Sequence, residues 1–457
     1  MTFKLKKDHK RFLLSLFGEK DVLFEREKIL IFGTDASKEF AWPSVVVRPS
    51  SVTQIKELLK WADKNKIPII PRARATNVVG GCVPVYGGIV VSMLKLNRIL
   101  DIDERDYVVE VQPGVVTGDL QKVLKQKSLF YPPDPASAKI STIGGNVSQN
   151  AGGLRAVKYG VTKDYVLGLD VCIPGGEMLF LGGRSHKDVV GLDLKSIMIG
   201  SEGTLGIFTK IILKILPLPD KYISILVGFN SLERLIEVAA KILKTGLIPV
   251  AMEFMDSDVL NCLRELGKVD ISKNIDSLLL LQFDGNEKEV EWAVYNCEKL
   301  FKELDIEYYE KGGDKKREEE LWEVRRLINP ASHKMGEKKI ALDICVPRSK
   351  VPIIINDSKS IGKKFNISIL CFGHLGDGNI HVNIMYSDDR EEIAHKVAYK
   401  ILQKTLERGG TISGEHGIGI LKLDLINKQL SNTEINLMRK IKTIFDPNNI
   451  MNPGKAY

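Results

Sequence analysis

The hydrophobic pattern changes its period several times along the chain. "PSVVVRPSS" (Pro43 to Ser51) is a β-branched run closed by a turn, and "VTQIKELLKWADKNK" then repeats its apolar residues at helical spacing behind Ser51 or Thr53 as N-cap. "IPIIPR" returns to a short apolar run, so the stretch reads as a β-α-β unit. "GIVVSM" and "YVVEVQPG" add strands, and a helix follows through Asp119 to Gln126. From Pro132 to Gly206 glycine, serine, asparagine and threonine dominate, with apolar strands ("YVLGLDVCIP", "EMLFLGG") threaded through them. Glycine at that density among ordered strands predicts backbone lying close to a ligand, or else a turn-rich β region. The prolines of "LKILPLPDKY" (Leu213 to Tyr222) stop a strand and mark a boundary. Beyond it strand and helix patterns alternate ("ISILVGF", "SLERLIEVAAKILKTG", "PVAMEFMD", "SLLLLQFDG"), which predicts an α+β domain with a helix-backed antiparallel sheet.

Composition narrows the class. A chain of 457 residues with 44% apolar and 27% charged residues predicts two or three packed domains rather than disorder. The net charge of +8 is spread along the sequence, which argues against nucleic-acid binding. Six cysteines lie far apart with no CxxC pair, so this chain alone is not expected to hold a zinc knuckle or an iron–sulfur cluster, and a reducing, cytoplasmic setting is expected. The basic start "MTFKLKKDHKRFLLSLFGEK" reads as a short amphipathic helix; its apolar run is too short for a signal-peptide core, and no segment reaches membrane-spanning length.

Two of only seven histidines bracket a turn in "HLGDGNIHVN" (His374 to Asn383). "ISILCFG" before it and "IHVNIMY" after it read as the two strands of a hairpin, so His374 and His381 can face each other across it. Neutral imidazole suits a borderline divalent metal; Glu415 of "GEHGIG" is the natural third ligand, and His416 beside it is left to act as a base. Asn383, two residues past His381, lies on the same strand face and can bond a substrate oxygen. On these residues alone the metal could serve hydrolysis as readily as redox chemistry. Neither GxGxxG after a first strand nor GxxxxGK[ST] is present, so neither a Rossmann site nor a P-loop is expected.

A wider set of segments resembles the FAD-binding PCMH-type, or vanillyl-alcohol-oxidase, flavoproteins. It comprises "YPPDPAS", "TIGGN", "NAGGLRAVKYG", "VLGL", "IGSEGTLGI", "HLGDGNIHVN", "GEHGIG" and the closing "FDPNNIMNPGK", in the family's order over nearly the whole chain. Within the family the sequence looks similar to the glycolate oxidase flavin subunit and FAD-linked D-lactate dehydrogenases, with D-2-hydroxyglutarate dehydrogenases as a related branch. The resemblance implies an α+β fold: a helical segment over 1–40, a two-subdomain FAD-binding domain over 41–218, a substrate or cap domain over 219–440, and a C-terminal segment, 441–457, returning to the FAD domain.

It also implies roles. "PRARATNVVGG" matches the first phosphate loop, with Pro71, Arg72, Arg74, Ala75, Thr76 and Asn77 at the cofactor. Pro133, Asp134, Ser137, Thr142, Gly144, Gly145, Asn146, Gly152, Gly153, Arg155 and Tyr159 match the second flavin stretch. Glu202, Gly203, Gly206 and Ile207 match an adenine-side loop, and Asn452 returns to the flavin. Relatives carry glycines in the first loop where this chain has Ala73, Ala75 and Asn77. Alanine disfavours positive φ, so either the loop takes another path or Arg74 adds charge at the pyrophosphate. No histidine stands in these loops, so the FAD is expected to be non-covalent. His374, His381 and Glu415 carry over as ligands of a divalent metal, with zinc expected. His416 is then the base, Asn383 lies near the substrate hydroxyl, and Arg325 of "LWEVRR" grips the carboxylate, with Arg326 adjacent. Lys339 is a second cation, although "GEKK" is equally a solvated charge run.

The implied reaction is metal-assisted oxidation of a D-2-hydroxy acid (glycolate or D-lactate type) to the 2-oxo acid, with hydride passing from C2 to flavin N5. D-2-hydroxyglutarate oxidation and direct use of O2 are alternatives inside the class. A zinc hydrolase and a non-catalytic FAD-fold subunit are alternatives outside it. Expected partners are the small hydroxy acid, an iron–sulfur or quinone-linked acceptor subunit holding the enzyme at the inner face of the membrane, and further copies of the chain.

Overall fold

The computed structural model describes residues 3–267, 271–306 and 308–457. They form two compact units, one of residues 1–152, 161–218 and 415–457, the other of 153–160 and 219–414.

The first unit contains two sheets. In the four-stranded sheet, β1 (Val22–Leu23), β2 (Val45–Val47), β3 (Ile69–Arg72) and β4 (Ile89–Ser92) stand in the order β1-β2-β4-β3. β4 runs parallel to both β2 and β3. Parallel neighbours need a crossover, and the helix Val52–Asn65 supplies it. Ser51 is its N-cap, accepting from Gln54 N, and Ile55, Leu58, Leu59 and Ala62 form its buried stripe. The N-terminal helix Lys7–Phe17 packs Leu13 and Phe17 into the same core, so this helix belongs to the first unit.

The second sheet has β5 (Ile99–Asp103), β6 (Val108–Val111), β8 (Val166–Cys172), β9 (Met178–Gly182) and β10 (Ile207–Lys214) in the order β5-β6-β10-β8-β9, all antiparallel. A ribbon of β7 (Leu129–Phe130) and β11 (Leu216–Pro217) lies outside it. The chain returns to this unit at Glu415, earlier than the sequence boundary at 441. The reason is the helix Asn432–Phe445, whose buried Lys442 donates to Thr204 O (2.7 Å) and Met451 O (2.8 Å) and pairs with Asp446. The tail then adds to β3: Ile69 N donates to Ile450 O and Asn452 N to Ile69 O.

The second unit is built on one antiparallel sheet. Its strands are β12 (Lys221–Phe229), β13 (Ala251–Met255), β14 (Ser277–Gly285), β15 (Tyr308–Lys311), β16 (Lys338–Cys345), β17 (Ser368–His374) and β18 (Asn379–Tyr386), in the order β15-β12-β14-β13-β17-β18-β16. Residues directly opposite in register share a face. Glu253 faces His374, Phe372 faces His381, Asp343 faces His381 and Ala341 faces Asn383. One face therefore carries Glu253, Asp343, His374, His381 and Asn383. Its apolar part packs Met255, Leu280 and Phe372 beneath the helices Ser257–Glu265 and Lys315–Arg326. Among the described residues no helix is long and apolar enough to cross a membrane.

Candidate active site

In the first unit the separate glycine-rich segments converge on one cleft of about 510 Å³, inside the usual range for ligand pockets. Its wall takes in Pro71 and Arg74 to Asn77, then Pro135 to Ser137, then Thr142, Gly145, Asn146 and Gly152, and finally Glu202, Glu415 and His416. A smaller recess of about 70 Å³ shares Pro71 and Gly145 with it and adds Arg72, Gly144, Gly203, Gly206 and Ile207.

Each segment is held there by local chemistry. Thr142 caps the helix Ile143–Gln149 by accepting from Gly145 N. Ala75 sits at φ +54, so the loop keeps the left-handed backbone despite lacking glycine. A left-handed alanine costs about 1–2 kcal/mol, and glycine gives back part of that gain as chain entropy. Ala75→Gly is therefore expected to stabilise the protein by about 0.5–1 kcal/mol, a rise of about 2 °C in a thermal melt. Asn77 substitutes in part for the missing glycines by bonding the backbone: its Oδ1 accepts from Val79 N (3.0 Å) and Gly81 N (2.9 Å), and its Nδ2 donates to His416 O (3.4 Å).

The turn after His416 is fixed from a second side. The buried carboxylate of Glu202 accepts from Ile418 N and Gly419 N, both at 2.8 Å. Burial pushes the Glu202 carboxyl above the usual carboxylate range, although these two bonds oppose it. Gly417 (φ +83) packs where a Cβ would strike Gln149 Oε1 and Glu202. His416 Nε2 lies 3.7 Å from Glu415 Oε1.

Not every residue expected at the cofactor turns to the cleft. Arg72 is buried and donates to the carbonyls of Ile31 (2.9 Å) and Thr34 (2.6 Å), so its guanidinium buckles the N-terminal loop. Asn452 Nδ2 bonds Gly81 O and Glu202 O, and its Oδ1 accepts from Lys455, which makes it a clamp between loops. Pro133 and Asp134 are outside the cleft wall, and Pro133 O accepts from Gln121. Gly153, Arg155 and Tyr159 group with the second unit, where the Tyr159 hydroxyl and Lys158 bond the buried Asp284.

The cleft also has walls that sequence reasoning missed: Ala36, Cys82, Ser148 and Gln149. Buried Gln149 Oε1 has no hydrogen-bond partner among the described residues, an acceptor that a bound group's N–H would satisfy. A Cβ on Gly145 would meet only Thr142 Oγ1 (3.4 Å) and Ala73 Cβ (3.8 Å), so that glycine keeps the cleft open. A cleft walled by glycine-rich loops, an orphan acceptor and the exposed cation of Arg74 fit a dinucleotide such as FAD.

In the second unit the hairpin expectation is realised: the imidazole rings of His374 and His381 stand edge to face, centroids 5.1 Å apart. His374 Nδ1 is 2.5 Å from Glu253 Oε1, and Arg325 Nε donates to Glu253 Oε2 at 2.8 Å. Glu253 is wholly buried, yet the charges of His374 and Arg325 outweigh that burial and hold its carboxyl down at about 2. Arg325 also lies 4.8 Å over the Phe372 ring, whereas Arg326 is exposed and bonds Glu319 O. Asn383 is buried, and its Nδ2 has no hydrogen-bond partner among the described residues. Asp343, unforeseen in the sequence, accepts from Asn379 Nδ2 (2.7 Å) and Gly414 N (3.1 Å). Lys339 Nζ bonds Asn329 Oδ1 at 3.0 Å.

Comparison with known proteins follows the same division. Residues 43–182 match the FAD binding domain family, and residues 218–456 match the C-terminal domain of FAD linked oxidases. The chain is 36% identical to the glycolate oxidase subunit GlcD of Bacillus subtilis over 99% of its length and 97% of that protein's. It is 36% identical to a D-lactate dehydrogenase of Anaerostipes hadrus, covering 94% of this chain and 92% of that one. A D-2-hydroxyglutarate dehydrogenase of Stutzerimonas stutzeri is 33% identical, covering 97% and 98%. In fold the chain is similar to p-cresol methylhydroxylase with substrate bound (TM-score 0.81, 17% identity, 99% of this chain and 97% of that one). With both the flavin cleft and the family's second half present in one chain, this protein belongs to the FAD-linked oxidases and is an FAD-dependent oxidoreductase with the PCMH-type α+β fold.

Proposed function

We propose that this enzyme oxidises a small D-2-hydroxy acid, of the glycolate or D-lactate type, to the 2-oxo acid. The observation that carries the reading is the convergence of four distant flavin-family segments on one cleft whose wall includes Glu415 and His416. The names of the three relatives support the substrate class.

In this reading His416 takes the proton of the substrate hydroxyl, oriented by Asn77 and by the Glu202-held turn. Asn383 donates its unpartnered Nδ2 to a substrate oxygen. Arg325, with Nε engaged by Glu253, offers its remaining guanidinium donors to the carboxylate. Lys339 adds a second positive charge. The chemistry supplied by bound FAD is acceptance of the C2 hydrogen with its electron pair. His374, His381 and Glu415 would hold a divalent ion, zinc by their N and O donors, whose contribution is to polarise the hydroxyl oxygen. Arg74, Thr76, Ser137, Gly145 and Asn146 would cradle the cofactor. D-2-hydroxyglutarate is the alternative substrate, and O2 the alternative acceptor. An acceptor subunit, iron–sulfur or quinone-linked, would account for electron exit, as a relative is itself named a subunit, and would bring the cytoplasmic enzyme to the inner membrane face.

Anaerobic stopped-flow absorbance at the flavin maximum tests this. Mixing with glycolate, D-lactate, L-lactate and D-2-hydroxyglutarate is expected to bleach the flavin rapidly for one of the non-L acids, and pre-treatment with a chelator to abolish that bleaching. Bleaching that survives chelation would remove the metal from the mechanism. No bleaching by any hydroxy acid would overturn the substrate class.

A further inference from the structure

The second unit's sheet contains a carboxylate that the fold does not explain. Glu253 stands on β13, fully buried, with Leu280 opposite it on one neighbour strand and His374 on the other. A buried carboxylate is costly unless it is paired, and an apolar residue of similar size fills such a position at less cost. The contrast with Asp256, three residues on, is informative. That buried carboxylate braces the backbone, accepting from Val259 N at a helix start and from Cys371 N, and its charge is met by Lys359 at 2.6 Å. Glu253 instead directs its two oxygens to two side chains, His374 and Arg325.

We infer that Glu253 is a positioning residue for both halves of substrate recognition: it fixes His374 in the tautomer that presents Nε2 and aims the guanidinium of Arg325. The inference rests on the roles given to those two residues above. An ionised carboxylate has only acceptors, so the 2.5 Å contact requires the proton on His374 Nδ1 and, in a neutral ring, the lone pair on Nε2. Metal-binding histidines are typically oriented by such a partner. The same carboxylate holds Arg325 by Nε, the one guanidinium nitrogen not needed for a two-pronged grip on a substrate carboxylate. One residue thereby couples the metal-ligand face to the carboxylate grip, and one substitution should disturb both.

Glu253→Gln keeps the shape and reverses the polarity. Its Oε1 can satisfy Arg325, which leaves the amide N–H facing His374 Nδ1 and drives the ring proton to Nε2, where a metal cannot bind. The test uses the FAD-loaded full-length protein. Zinc affinity is measured by competition with a chromogenic chelator, and the His374 tautomer by ¹⁵N NMR of histidine-labelled, metal-free protein, with His374→Gln assigning the signal. In the unsubstituted protein His374 is expected to carry its proton on Nδ1. Glu253→Gln is expected to move it to Nε2, to weaken zinc binding about 10–100-fold, and to raise KM for the hydroxy acid. Asp256→Asn, the structural control, is expected to lower the melting temperature and leave zinc affinity alone. An Nε2-protonated His374 in the unsubstituted protein, or zinc affinity within twofold in Glu253→Gln, overturns the inference. If the unsubstituted protein takes up no zinc, the metal reading falls, and the tautomer measurement still decides the role of Glu253. That measurement needs no variant at position 253, so it holds even if Glu253→Gln does not fold.

Discussion

Replacing His416 by glutamine is expected to slow flavin reduction by the hydroxy acid by about two to four orders of magnitude, the usual range for loss of a general base. The side chain is partly exposed at the cleft wall, and the bonds that shape its turn are backbone bonds, received from Asn77 and given to Glu202 and Val79. The variant should therefore fold and keep its flavin. Single-turnover absorbance, with FAD content measured on the same sample, separates the chemical step from cofactor loss. A fall of less than tenfold with FAD retained would mean that another group takes the proton.

The second large effect separates two adjacent glycines. Gly145 opens onto the cleft and has only ordinary contacts where a side chain would begin, so Gly145→Leu should fold and project into the cofactor's space. Overpacking of about 1–3 kcal/mol converts to about one to two orders of magnitude in FAD affinity. Gly144 faces the other way: a Cβ there would lie 2.5 Å from Pro113 Cβ and 2.8 Å from Pro113 O. Gly144→Ala should lower the melting temperature, while its folded fraction binds FAD normally. Flavin fluorescence titration alongside a thermal melt reads both quantities. If Gly145→Leu retains full FAD affinity, the cleft is not where the cofactor lies.

These expectations locate what was legible in the sequence. Local determinants were: the Ser51 cap, the β-α-β alternation, the hairpin at "GDGN", and the glycine segments that meet in the cleft. They depend on turn chemistry, periodicity and neighbours a few residues away, all of which a sequence displays directly. The left-handed backbone at Ala75 was legible as a conflict, since the family motif asks for glycine there; the structure keeps the conformation and accepts the strain.

Tertiary structure decided the rest. Within the apolar strand Ala251–Met255 Glu253 is the one charged residue, and nothing local says whether it is exposed or buried. It becomes the partner of His374, 121 residues away, only because the sheet order sets β13 beside β17. Glu202 reads as a loop acid; the return of the chain at Glu415 makes it the brace of the turn after His416. Arg72 has the look of a phosphate ligand until the N-terminal loop folds over it and takes its donors. Sequence by itself determined the elements, the glycine positions and the chemical types available, because those follow from the local conformational preferences of the chain. Which buried polar group meets which was decided by strand order and chain return, because a buried charge takes its role from the partners that long-range folding brings to it.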